Sequence, residues 1–232
     1  MTEQDLTRRD RHRLRTIAEI KETALTQVRT GGPEAVSLAA VARSMAMSPP
    51  ALYRYFASRN ELLAELTVDI HLALADTLEA AASGCTSPVS RLRAVAGAYR
   101  NWALTQPHAY RLTCESPHES GHDHSGDRIV SAAQRSMDVL LDAVTEAGDP
   151  PHAAIPAQLH AQLYCRAGNS GHRSRSAGEL HFGLVWWSRL HGLISLELGR
   201  HTAATGVDPA LLYRSEVEAM ISSLCSRHDV TT

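Results

Sequence analysis

The densest chemistry in the sequence lies in Ser48-Pro49-Pro50-Ala51-Leu52-Tyr53-Arg54-Tyr55-Phe56. Two tyrosines flank an arginine: phenolic hydroxyls and a guanidinium donate to phosphate oxygens, and an arginine also reads base edges in a bidentate manner. On a helix Leu52 and Phe56, four apart, share an inward face, so Tyr53 and Arg54 must point elsewhere. The same residues would also suit a plain helical hairpin with packed tyrosines and solvated arginines. A second cluster, His118, His122 and His124 with Glu119 and Asp123, contains metal-ligand side chains. Its spacing matches no defined site and it reads as an exposed loop, so no metal is expected. The chain has no glycine-rich phosphate loop, no paired Glu-x-x-His and no nucleophile beside a recognisable base, so neither an enzyme nor a cofactor is expected.

The elements that must position these residues are all helical. Leu14, Ile17, Ala18, Ala24, Leu25 and Val28 recur at helical spacing and Gly31-Gly32-Pro33 stops the pattern, which predicts a first helix over about residues 11 to 30. Ser37 is a good N-cap for a short second helix from Leu38 to Met45, with Leu38, Val41 and Met45 on one side. Ser48 caps a third, opened by Pro49, where the missing N–H costs nothing. Because Pro50 also lacks an N–H, the Ser48 hydroxyl is expected to reach the amide of Ala51.

Ser58-Arg59-Asn60-Glu61 reads as a capping box at the head of a long fourth helix, whose Leu62, Leu66, Ile70, Leu74 and Leu78 follow in steps of four to about Ala82. Further helices are predicted at about 88 to 105, 107 to 115, 126 to 147, 154 to 166, 178 to 200 and 208 to 227, separated by glycine and proline punctuation. With no alternating β pattern of useful length, the fold class is all-α.

Bulk properties agree with a globular chain: 232 residues, 44% hydrophobic and 21% charged. Met1 to Arg15 is charged from the start and has no apolar stretch before a small-residue cleavage site, so a cytoplasmic protein is expected. Cys85, Cys114, Cys165 and Cys225 are far apart and read as reduced thiols. The net charge is −2, yet residues 1 to 60 carry ten Arg or Lys against six Asp or Glu. The N-terminal quarter is therefore the natural place for a polyanion.

Three helices of about 20, 8 and 8 residues, the last two joined at Ala46 and Met47, have the layout of a helix-turn-helix. Over roughly residues 13 to 75 the sequence resembles the TetR (AcrR-like) family of regulators. The resemblance runs through Ser37-Leu-Ala-Ala-Val-Ala-Arg43, Ser48-Pro-Pro-Ala-Leu-Tyr-Arg-Tyr-Phe56 and Ser58-Arg-Asn-Glu-Leu62. It implies that Ser37, Arg43, Ser48, Tyr53, Tyr55 and Arg59 contact phosphates, and that Pro49, Pro50, Ala51 and Arg54 meet bases. Ala46 stands where the family's turn usually has glycine, and Arg59 where it has lysine.

Further along, Phe182-Gly-Leu-Val-Trp186-Trp187-Ser-Arg-Leu-His191-Gly192-Leu-Ile-Ser-Leu is apolar nearly all round, the mark of a helix buried on more than one side. Ser188, Gly192, Ser195 and Gly199 make a stripe of small side chains along it. The segment resembles the Trp-x-x-x-His-Gly helix of one C-terminal subgroup of the family, which implies a homodimer interface shared with the last helix, including Val217 and Ile221. An intramolecular core helix would use the same small residues. His191 reads as a hydrogen-bonded core histidine.

The resemblance further implies a small-molecule effector held between the middle helices, with Tyr99, Trp102, Tyr110, Met137 and Tyr164 as candidate wall residues that would equally serve as core. The expected organisation is a DNA-binding domain over residues 11 to 57, with the family's N-terminal domain reaching about 75. A ligand-binding and dimerisation domain follows over 58 to 232. The implied function is a dimeric transcriptional regulator of operator DNA, a repressor released by its effector; the alternative is a helical ligand- or metal-binding protein without sequence-specific DNA binding.

Overall fold

A capping box starts the first helix. Thr7 accepts from the amide of Asp10 through its hydroxyl, and the Asp10 carboxylate accepts from the amide of Thr7, so α1 spans Arg8–Gly31 and begins a turn earlier than residue 11. Gly32 ends it with φ of 80°, its amide donating to Val28. In this computed structural model residues 7–115, 125–147, 155–169 and 175–225 are described. The other helices are α2 (Leu38–Ser44), α3 (Pro49–Tyr53), α4 (Arg59–Ser83), α5 (Pro88–Thr105), α6 (Pro107–Glu115), α7 (Ser125–Ala147), α8 (Ala157–Asn169), α9 (Ala177–Leu198) and α10 (Pro209–Cys225). No strand occurs among the described residues, and none of their helices is long and apolar enough to cross a membrane. The fold is all-α: a helix-turn-helix unit followed by a helical C-terminal domain.

Two compact units form. One contains Met1–Leu72 and Gln106–Ala132; the other contains Ala73–Thr105 and Ala133–Thr232. Helices α4 and α7 each contribute residues to both.

In the first unit α1 buries Thr16, Ile20, Ala24 and Val28, a line of four-residue steps. The expected stripe is corrected by this: Leu14 and Ala18 lie off the line and are exposed. Leu38, Val41 and Ala42 of α2 join that core, as do Leu52 and Phe56, which hold the third helix inward as their spacing predicts. Helix α6 packs on α1, where a Cβ on Gly32 would lie 3.3 Å from the His108 ring. Lys21 of α1 pairs with Asp69 at 2.6 Å and Glu65 at 3.5 Å on α4, and Arg128 of α7 pairs with Glu65. Behind these ions Val68, Ile129 and Ala132 form a small apolar cluster.

In the second unit Leu92, Val95, Tyr99 and Trp102 of α5 and Trp186, Leu190 and Ile194 of α9 are buried. Tyr213 of α10 donates to the carbonyl of Ala96 at 2.8 Å, giving a buried hydroxyl its partner. Arg100 grips Glu197 through two bonds of 2.8 and 2.5 Å, tying α5 to α9. Gly183 lets α9 approach α7 so closely that a Cβ there would lie 2.0 Å from Leu141. Arg175, just before α9, donates to Asp142 at 2.7 Å and to the carbonyl of Asp138 at 3.4 Å.

Candidate nucleic-acid interface

Helix α3 is regular only from Pro49 to Tyr53, and Arg54 and Tyr55 continue it as a tight turn in which the amides of Tyr55 and Phe56 both donate to Leu52. Burial of Leu52 and Phe56 leaves Ser48, Pro49, Pro50, Tyr53 and Arg54 exposed and Ala51 and Tyr55 half-buried. Ser37 and Arg43 on α2 are also exposed.

The turn between α2 and α3 is closed by Met47 donating to Ala42 at 2.8 Å and Ala46 to Arg43 at 3.2 Å. Ala46 adopts φ of 51°, the left-handed region that favours glycine. The substitution of alanine for glycine is thus tolerated at a conformational cost, not avoided by a different backbone path.

Both serine caps differ from expectation. Neither Ser37 nor Ser48 makes a side-chain cap bond. The amide of Ala51 instead donates to the Ser48 carbonyl at 2.9 Å, because the proline-opened first turn brings that oxygen within reach. The hydroxyls are not consumed by the helix ends they precede. Ser58 does cap as predicted, accepting from Glu61 at 3.0 Å, but Glu61 returns its carboxylate one residue further back, to the amide of Ala57.

Arg59 is half-buried, its Nε donating to the carbonyl of Val36 at 2.8 Å and its Nη2 to that of Pro33 at 2.6 Å. It thereby braces the 3-10 turn Pro33–Ala35 that delivers the chain to Ser37. Its sequence separation from these partners, 23 and 26 residues, hides this role from local patterns. Arg13 also escapes a reading of the sequence by pattern. Its guanidinium stands 5.2 Å from the centroid of the Tyr55 ring and donates to the carbonyl of Arg54 at 3.5 Å, at the exit of α3. One signal was available: Arg13 precedes Thr16 and Ile17 on the side of α1 that continues into Ile20 and Ala24.

The candidate wall residues fall into separate places. Tyr99 and Trp102 are buried on α5, Met137 is half-buried beside the Leu141, Leu163, Ala177 and Leu180 cluster, and Tyr110 lies buried in the first unit. Tyr164 is 69% exposed and so lines no enclosed wall in this chain. Tyr99 meets His191 instead, Oη to Nδ1 at 3.2 Å, and Trp187 stacks on the same imidazole at 4.9 Å between centroids. Burial pushes the His191 pKa below its ordinary value.

Of the small-residue stripe, Ser188 is exposed and a Cβ on Gly192 would meet open space, whereas a Cβ on the exposed Gly199 would lie 2.7 Å from the His201 ring of its own chain. Around the open part Leu184, Trp187 and Leu196 of α9 and Leu211 and Leu212 of α10 are exposed. Val217 and Ile221, expected at the dimer interface, are both buried within their own chain, whereas Leu211 and Leu212 are exposed. His118, His122 and His124 lie outside the described residues.

Comparison with known proteins accounts for this architecture. Residues 20–66 match the model of bacterial regulatory proteins of the tetR family, and residues 92–220, more than half the chain, match the tetracyclin repressor-like C-terminal domain. The chain is 29% identical over 221 residues to the HTH-type transcriptional regulator Rv1816 of Mycobacterium tuberculosis, covering 89% of this chain and 91% of the relative. The crystal structure of SCO4313, described as a regulatory protein, superposes with a TM-score of 0.70 at 37% identity, covering 92% of this chain and 98% of that one. At 12% identity the fold is shared with the transcriptional regulator FadR from Bacillus subtilis in complex with stearoyl-CoA, with a TM-score of 0.55 and coverage of 88% and 97%. With both family models matched in order along one all-helical chain, the protein belongs to the TetR family of transcriptional regulators.

Proposed function

We propose that this regulator is a cytoplasmic homodimeric repressor that binds a roughly palindromic operator and leaves it when a small molecule binds in the second unit. The observation that carries the reading is the third helix: Leu52 and Phe56 anchor it, while Ser48, Pro49, Pro50, Tyr53 and Arg54 stand exposed for a groove. Ser37, Arg43, Ser48, Tyr53 and Tyr55 serve the phosphates, and Pro49, Pro50, Ala51 and Arg54 the bases. Arg59 acts there partly through the backbone that it braces. One such short helix touches too few base pairs for useful specificity, so two copies are needed. The exposed apolar side chains on α9 and α10, with open space over Gly192, supply the surface for pairing. We assign the C-terminal domain to the Trp-x-x-x-His-Gly type on Trp187, His191 and Gly192.

For the effector, support comes from the buried aromatic residues Tyr99 and Trp102 and from the polar pair of Tyr99 with His191. That a protein of the same fold, FadR, holds an acyl-CoA accords with a small-molecule role for this domain. A gel-shift titration with the DNA upstream of the chain's own gene tests the reading. A discrete complex competed by specific but not random duplex is expected. Failure to bind any duplex at low salt would favour a ligand-binding helical protein instead. Adding an effector found by thermal shift should weaken the complex, and DNA must then weaken effector binding by the same factor.

A further inference from the structure

The positive charge of the N-terminal quarter lies on the head of α1 and not on α2 or α3. Arg8, Arg9, Arg11, Arg13 and Arg15 stand against Asp10 alone in the first two turns of α1, and the remainder of residues 1 to 60 carries five basic and five acidic residues. The span from α2 through Phe56 has only Arg43 and Arg54, and the Arg59 guanidinium is already committed to two carbonyls. Duplex DNA presents a negative charge every ~1.7 Å of axis, and affinity follows the number of phosphates neutralised. Two cations on the reading element are too few for that work.

The position of the arginine cluster completes the argument. Arg13 sits on the exit of α3, against the Tyr55 ring and the Arg54 carbonyl, so this end of α1 lies beside the recognition helix. Arg9 is four residues earlier on the same side of α1, about 6 Å further along its axis. The stripe that buries Thr16, Ile20, Ala24 and Val28 thus turns cationic where α1 reaches past its own core. Arg8, Arg9 and Arg11 are exposed and form no side-chain hydrogen bond or salt bridge among the described residues, whereas Arg15 is bonded to Glu19 at 2.9 Å. The Thr7–Asp10 capping box keeps these turns helical and so fixes where each arginine leaves the helix.

The geometry points to a second DNA-contacting element: the first two turns of α1, through Arg8 and Arg9 with Arg13 at its base, clamp the phosphates flanking the groove that α3 enters. This rests on the DNA-binding reading above. The clamp carries no sequence information and supplies most of the electrostatic affinity.

Full-length protein should be titrated with a random-sequence 30-base-pair duplex by fluorescence anisotropy at several salt concentrations, comparing wild type with R8Q/R9Q and R8K/R9K. The Gln variant should keep the wild-type circular dichroism and melting temperature, and bind at least tenfold more weakly near 100 mM salt. Its plot of log affinity against log salt should be shallower by ~0.9 for each phosphate that is no longer neutralised. The Lys variant should restore the slope. If the Gln variant melts early, R9Q alone serves, with a slope change of ~0.9 per copy. A wild-type slope in the Gln variant overturns the clamp and leaves the DNA-binding reading intact; no duplex binding by the wild type overturns both.

Discussion

Arg59 donates through Nε to the carbonyl of Val36 at 2.8 Å, so a residue at the head of α4 fixes the chain that leads into α2. Its second bond, from Nη2 to Pro33 at 2.6 Å, makes this a two-point clamp. Arg59→Ala should therefore destabilise the first unit by about 2 kcal/mol, since two charge-assisted bonds to partly buried carbonyls disappear. Urea unfolding followed by circular dichroism measures it. Weaker DNA binding with an unchanged midpoint would mean that Arg59 only touches phosphate.

Ala46→Gly should act in the opposite direction. The left-handed backbone at Ala46 costs an L-residue roughly 1–2 kcal/mol, and glycine relieves that while adding about 0.5–1 kcal/mol of unfolded-state entropy. A net gain of about 0.5–1 kcal/mol follows, read as a raised melting temperature. A lower melting temperature would show that the turn relaxes out of φ 51° in solution.

Much of the fold is legible along the chain because local signals suffice where an element starts on proline. The spans of α5 and α6 begin at Pro88 and Pro107, and the four-residue steps from Leu62 to Leu78 are all buried in α4. The apolar repeat places the start of α1 too late because Thr7 and Asp10, a capping box with aspartate in place of glutamate, sit outside it. Which face of α10 is buried depends on where α5 docks, through Tyr213 and Ala96, so the pattern around Val217 and Ile221 suits either face and does not reveal that they point inward. At the site, exposure of Tyr53 and Arg54 follows from the Leu52 to Phe56 spacing, whereas the duties of Arg13 and Arg59 depend on partners 41 and 23 residues distant.

Arg54→Ala and Tyr55→Phe should separate base reading from phosphate binding. Arg54 is exposed; with the base-reading role proposed for it, its removal should cost about 1–3 kcal/mol on the preferred site and less on random duplex. Tyr55→Phe removes one hydroxyl from the ring that Arg13 faces and should weaken binding to both duplexes by the same factor. Equal effects on both duplexes for Arg54→Ala would place that guanidinium on phosphate.

His191 sets a pH dependence on the second unit. Burial lowers its folded-state pKa below the unfolded value, so the neutral ring is the one the fold prefers. As pH falls through the ordinary histidine range the unfolded chain takes up the proton first. The contribution is therefore complete above the unfolded pKa, declines as pH drops through the interval down to the folded pKa, and levels off below it. His191→Gln should flatten the decline in stability across that interval, by comparison with wild type. Parallel curves for the two proteins would assign the acid sensitivity to other groups.

Gly183 and Gly192 lie on the same helix, α9, and should fail in different ways when given a side chain. At Gly183 an added Cβ lies 2.0 Å from Cδ2 and 3.0 Å from Cγ of Leu141. Leu141 is 1% exposed and hemmed in by Leu163, Ala177 and Leu180, so it has little room to yield. Gly183→Ala should lower the stability of the protomer by about 1–3 kcal/mol, the usual range for overpacking, despite alanine's better helix propensity. At Gly192 nothing lies within 4 Å of the added atom, so Gly192→Ala should gain about 0.5–1 kcal/mol from propensity alone. A longer charged side chain is accommodated by the single chain but not by a second copy docked over Trp187 and Leu196: Gly192→Glu should retain helical content while sedimenting as a monomer. It should also lose affinity for a two-half-site duplex far more than for a single half-site. A dimer that survives Gly192→Glu would move the interface away from this face of α9, whatever the exposure of its leucines.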